Sequence, residues 1–119
     1  MLYICIMNLE KTKAQMRKGV LELCILSIIA EKDAYASDIL EKLKEAKLIV
    51  VEGTLYPLLR RLESQGLLKS EWNVEGSRPR RYYVISPEGK KILNDLAAEW
   101  RNLGLVMEKL LTGISSEGE

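Results

Sequence analysis

Seven apolar residues near the end of the chain, Leu93, Leu96, Trp100, Leu103, Met107, Leu110 and Ile114, are spaced 3, 4, 3, 4, 3, 4. That is the a/d pattern of a helix packed lengthwise on another helix. The pattern is too short for a free coiled coil. It is long enough for a helix that packs on the chain's own first helix and on a symmetry mate. Its start is marked by Ser86 as N-cap, Pro87 at the first helical position and Glu88 in the first turn. It is expected to run to Thr112, with Gly113 ending it and ISSEGE, 114–119, as a flexible tail.

The other end of the chain poses the same packing question. A first helix is predicted over Lys13–Glu31, after an N-terminal arm at 1–12. Between Val20 and Ala30 only Glu22 and Ser27 are polar, so this helix is apolar nearly all round. A helix of that kind in a small protein is covered on two sides, and a second chain is the simplest second cover. The opening MLYICIM lacks a basic stretch and a small-residue cleavage site, so it is not read as a signal peptide. Met7 is an equally good start. The run Val20 to Ala30 is too short to span a bilayer, and no membrane association is expected.

Between these helices the periodicity changes twice. Tyr35–Ala46 reads as a second helix with Ile39, Leu40 and Leu43 on its apolar face, and Ser37 or Asp38 serves its first turn. LIVV, 48–51, reads as a brief strand or an extended turn. A third helix is predicted from Gly53 to Gln65, with Leu55, Leu58, Leu59 and Leu62 inward. Leu67–Trp72 alternates, Glu75-Gly76-Ser77 marks a turn and Arg81–Ile85 is β-branched and aromatic, which together make a hairpin. The fold class is therefore mainly α with a small β-hairpin: a winged helix-turn-helix over 13–85, followed by a dimerisation helix over 86–113.

Charge supplies the functional signal, by its placement. At 119 residues and a net charge of +1 the single domain is neutral overall, yet five of its seven arginines lie between positions 60 and 81. From Thr54 to Tyr82 there are six Lys/Arg against three Asp/Glu, and after Ser86 four against six. The outward face of the third helix holds Gly53, Pro57, Arg60 and Ser64, with Tyr56 and Arg61 on its flanks. Pro57 is expected in or next to the first turn, where a missing N–H costs little, and Arg60 one turn behind it reaches a guanine edge or a phosphate. At the hairpin tip, EGSRPRR, Arg78, Arg80 and Arg81 suit phosphate or minor-groove contact, and Pro79 stiffens the strand.

The chain has no histidine, and its two cysteines, Cys5 and Cys24, have no metal or disulfide spacing. Cys24 reads as a small buried hydrophobe, and the pattern suits a reducing cytoplasm. No nucleophile motif or phosphate loop is present, so the chain is not read as an enzyme, and no metal or cofactor is expected. A winged-helix module that binds protein or RNA is the alternative to a DNA-binding one.

The residues EGTLYPLLRRLESQGLLKSEW and RPRRYYVISPEGKKIL resemble the PadR family of bacterial transcriptional regulators. The resemblance rests on Thr54–Pro57, Gly66, Arg80–Tyr83 and Ser86–Gly89, and covers roughly Gln15 to Leu103. Two departures are visible. Tyr35-Ala36-Ser37 stands where the family has a glycine-tyrosine pair, and Ser86 stands where it has threonine. The resemblance implies a homodimer joined by the first and last helices, a palindromic promoter site in double-stranded DNA and action as a repressor. It adds Ser37 and Thr54 to the DNA-facing residues. The single C-terminal helix is similar to the short-form branch, some members of which hold planar aromatic effectors with a tryptophan of the last helix. Trp100 in EWRNL stands at the matching place, either as such a contact or as a heptad core residue.

Overall fold

A computed structural model describes the backbone of residues 2–117 and the side chains of 8–113. The order is α1 (Leu2–Glu31), β1 (Ala34–Tyr35), α2 (Ala36–Glu45), α3 (Glu52–Ser64), β2 (Leu68–Asn73), β3 (Arg80–Ile85) and α4 (Pro87–Glu117). The hairpin β2–β3 is antiparallel, pairing Leu68 with Ile85 and Asn73 with Arg80. β1 adds a third strand on the free edge of β3, opposite Tyr82 and Tyr83, so the sheet order is β1-β3-β2. This is a winged helix with a long C-terminal helix, as its sequence pattern predicts. The third strand is an addition: by pattern alone Lys32-Asp33-Ala34 is a connection and Tyr35 opens a helix.

The core is one cluster. Ile25, Leu26 and Ile29 of α1 meet Ile39 and Leu43 of α2, Leu55, Leu59 and Leu62 of α3, and Leu68, Tyr83 and Ile85 of the sheet. Each leucine or isoleucine fully buried there contributes about 1.5–3 kcal/mol. Leu58, expected inward, sits at the edge and is only partly buried. The 48–51 segment is not a strand but an irregular connection, with Leu48 and Val50 half-buried on the core and Ile49 and Val51 exposed.

Both long helices exceed their expected ends. The expected arm at 2–12 is the first part of α1, because no proline or glycine interrupts Leu2–Lys18 and each added residue gains a hydrogen bond without a new nucleation cost. Likewise α4 passes through Gly113 to Glu117; one glycine costs about 1 kcal/mol in a helix and does not break it. The last two residues of the expected tail, 118–119, lie outside the described residues.

The turns around α3 are built by identifiable caps. The carboxylate of Asp38 accepts the Tyr35 N–H at 3.0 Å, closing the start of α2. α3 ends in a Schellman turn: Gly66 has φ +77°, Gly66 N–H donates to the Glu63 carbonyl and Leu67 N–H to that of Leu62, each at 3.0 Å. At the start of α4 the Ser86 hydroxyl accepts the Gly89 N–H at 2.9 Å and donates to the Gly66 carbonyl at 2.6 Å. Ser86 therefore caps α4 and ties it to the end of α3.

The all-round apolar α1 finds part of its second cover within the chain, since α4 packs against it. Apolar surface stays uncovered on α1, at Leu9 and Met16, and more extensively on α4. Leu93 is half-buried against the core, whereas Leu96, Trp100, Leu103, Met107 and Leu110 are exposed, Trp100 at 52% and Leu110 at 67%. Ile114, the last residue of the heptad run, has no described side-chain environment. Cys24 packs on the core half-buried, and burial raises its thiol above the ordinary value.

Candidate nucleic-acid interface

α3 starts one residue earlier than its sequence suggests, because the Val51 carbonyl already accepts the Leu55 N–H at 3.1 Å. Pro57 is consequently the sixth residue of the helix, not a first-turn residue. The expected explanation, an N–H that would be orphaned anyway, does not hold there. Pro57 removes the bond that the Gly53 carbonyl would receive, and its ring presses toward that same carbonyl. The helix tolerates this because Gly53 and Pro57 are both exposed, so water replaces the lost donor.

The residues of α3 divide by face. Gly53, Pro57, Arg60 and Ser64 are exposed on the side away from Leu55, Leu59 and Leu62. The Ser64 hydroxyl donates to its own helix, at the Arg61 carbonyl, 2.8 Å away. Thr54 and Pro57 border a groove of about 530 Å³ shared with Arg17, Lys18 and Leu21 of α1. Arg61 also turns toward α1, its guanidinium 3.2 Å from Glu22. On the opposite flank Tyr56 borders a cleft of about 560 Å³ with Tyr35, Ser37, Arg78, Arg80 and Arg81. Nine of the eleven proposed contact residues thus sit on the outward face or in this cleft, while Thr54 and Arg61 lean toward α1.

The wing is held against the start of α2 and the end of α3 by side-chain contacts between segments distant in sequence. The Arg80 guanidinium stacks 3.7 Å above the Tyr35 ring and donates to the Ser37 hydroxyl at 3.2 Å. The Asn73 amide donates to the Tyr35 hydroxyl at 2.8 Å, and the Tyr35 and Tyr82 rings meet edge-on at 6.1 Å. Tyr82 in turn donates to Glu71, and that hydrogen bond pushes its phenol pKa upward. On the other sheet face Arg81 lies 3.4 Å from Glu63, which also accepts from the Ser70 hydroxyl. Tyr35 is the residue that standard motif reading misses: it occupies β1 and faces the wing, and only its aromatic character hints at a stacking role.

Across the described residues no helix is long and apolar enough to cross a membrane, and no cluster of three or more potential metal ligands occurs. What the geometry presents is a helix face flanked by a basic hairpin. Residues 25–95 match the family model described as the transcriptional regulator PadR-like family. The chain belongs to the PadR family. Its fold is that of solved PadR proteins. A PadR-like transcription factor from Bacteroides fragilis is 48% identical, with a TM-score of 0.72, covering 84% of this chain and 98% of that one. A PadR family transcriptional regulator from Eggerthella lenta is 39% identical, with a TM-score of 0.82, covering 93% and 96%. A transcriptional regulator of Mycobacterium tuberculosis is 35% identical over 81 residues, 68% of this chain and 76% of its own length. This PadR chain is accordingly a winged-helix transcriptional regulator.

Proposed function

We propose that the protein acts in the cytoplasm as a homodimeric repressor that binds a palindromic promoter site in double-stranded DNA. α3 enters the major groove, and the wing contacts the flanking backbone. The observation that carries this reading is the cleft beside α3. It gathers Tyr56, Arg78, Arg80, Arg81 and Ser37, with Glu52 the one carboxylate among its lining residues, so cations cluster on the flank of α3, whose Arg60 is exposed. That arrangement holds phosphate on one side while Arg60 meets base edges on the other. The dimer is built on the exposed stripe Leu96, Trp100, Leu103, Met107 and Leu110, with Leu93 at its rooted end.

Two variants test the assignment of contacts. Arg60→Ala is expected to weaken binding to the specific site by about 1–3 kcal/mol while leaving random duplex nearly unaffected, as for a base contact. Arg78→Ala is expected to weaken all duplexes alike and to flatten the salt dependence by about one unit, as for a phosphate contact. Equilibrium titration on DNA from the region upstream of the protein's own gene, at several salt concentrations, measures both. Wild-type affinity in both variants refutes the assigned face. A wing that binds RNA or protein instead leaves duplex affinity weak and salt-insensitive in the wild type.

Trp100 supports an effector site within the same reading. Two Trp100 rings near the dimer axis would sandwich a planar aromatic molecule, stacking adding about 0.5–1.5 kcal/mol beyond area burial. Such a ligand releases DNA only if it prefers one arrangement of the subunits. Compounds that release DNA are expected to quench Trp100 emission over a Trp72 background and to lose that quenching in Trp100→Ala. Quenching that survives the substitution makes Trp100 a seam residue only.

A further inference from the structure

Three of the arginines around α3 are not free. Arg61 is 3.2 Å from Glu22, Arg81 is 3.4 Å from Glu63, and Arg80 is held by Tyr35 and Ser37. The first two pairs share a construction. In each, the carboxylate is the sheltered partner, with side chains 26% and 29% exposed for Glu22 and Glu63. The arginines are more open, at 61% and 43%. Glu22 comes from α1 and Glu63 from α3 itself, so one pair stands on each flank of the recognition helix. Among the described residues neither Arg60 nor Arg78 has an ion-pair partner.

Exposed ion pairs of this kind contribute little to stability. Their effect on a polyanion is larger. Attraction to the phosphate backbone supplies essentially all non-specific DNA binding, and every phosphate neutralised by a free cation steepens its salt dependence. An arginine already paired with a carboxylate offers the backbone little net charge. It is recruited only where the docked geometry lets it bridge its carboxylate and a phosphate together.

We propose that Glu22 and Glu63 are specificity-determining residues, each withholding one flanking arginine, Arg61 or Arg81, from non-specific contact with duplex DNA. The proposal rests on the DNA-binding reading above. It makes the two acidic residues a second source of discrimination between the operator and other DNA, beside the base contact of Arg60. Arg60 is left as the cation of α3 that is unconditionally available.

The test uses the full chain and two duplexes, one from the upstream region with the protected site and one of random sequence. Glu22→Gln and Glu63→Gln keep the side-chain shape, and in the second variant the amide oxygen can still accept from Ser70. Each variant is expected to bind random duplex roughly three- to tenfold more tightly at low salt, with a salt slope steeper by about 0.9. Site affinity is expected to rise less, so the ratio of specific to random binding falls. In an Arg61→Gln background Glu22→Gln should have no further effect, and likewise Glu63→Gln in Arg81→Gln. A rise that persists in those backgrounds reflects mere loss of negative charge and overturns the proposal. Variants indistinguishable from a wild type that binds both duplexes also overturn it, while the DNA-binding reading stands. A wild type that binds neither duplex removes both.

Discussion

Leu103→Lys is expected to convert a dimer into a monomer at micromolar concentration. Leu103 lies in the middle of the exposed α4 stripe, between Trp100 and Met107. In the proposed seam each copy buries it, which contributes about 1.5–3 kcal/mol per side chain. A lysine there forfeits that burial twice and adds two ammonium groups facing apolar neighbours, each costly to desolvate without a partner. Sedimentation velocity reads the change directly. The folded monomer is expected to survive, because Leu103 is 48% exposed in the single chain and lies outside its core cluster. A wild type that sediments as a monomer at that concentration removes the seam altogether.

Gly89→Ala is expected to damage the fold itself. Gly89 is buried in the first turn of α4, directly over the end of α3. A Cβ built on it falls 2.8 Å from Cγ1 of Ile85 and closer still to the carbonyl oxygen of Leu67. Neither neighbour gives way easily. The Leu67 carbonyl is held by the Ser86 N–H at 3.0 Å, and Ile85 is buried in the sheet. Overpacking of this kind costs about 3 kcal/mol, which corresponds to a melting-temperature drop of roughly 10 °C for a domain near this size. A thermal melt within a few degrees of wild type shows that α4 can lift off the α3–β2 turn without cost. Gly104, by contrast, has open space around it, so Gly104→Ala is a matched control.

The contrast between these two positions shows which features a sequence reveals. Local signals are legible: Ser86-Pro87 for a helix start, Gly66 for a helix stop, alternation for β2 and β3, and the heptads of α4. Each is written in neighbouring residues and is enforced by local hydrogen bonds or by one periodic face. Pairings between distant segments are not. β1 has two residues, too few for any period, and exists because Ala34 and Tyr35 meet the free edge of β3. Glu22 pairs with Arg61, 39 positions away, as the structure alone discloses. The Tyr35–Arg80 stack is equally remote in sequence. Gly89 belongs to a recognisable motif, but its reason, the Leu67 carbonyl above it, is a tertiary fact.

Pro57 illustrates a subtler limit. Its position relative to the helix start decides whether its missing N–H matters, and the start is set by Val51, whose carbonyl takes the first helical bonds from Thr54 and Leu55. Valine is a poor N-cap residue, so nothing in the local chemistry announces it. The proline therefore lies deeper in the helix than its neighbours suggest, on the exposed face and beside the α1 groove.

The central claim is that two copies of this PadR chain present α3 and the wing to one palindromic duplex. Hydroxyl-radical footprinting of the protein on DNA from its own upstream region tests it most directly. Two protected patches related by a two-fold axis, with centres about 34–36 Å apart or a multiple of that spacing, are the expected result. Arg60→Ala should lose that pattern at a concentration where the wild type is saturated. No protection of any duplex by the wild type, or a single patch without a symmetric mate, would contradict the account.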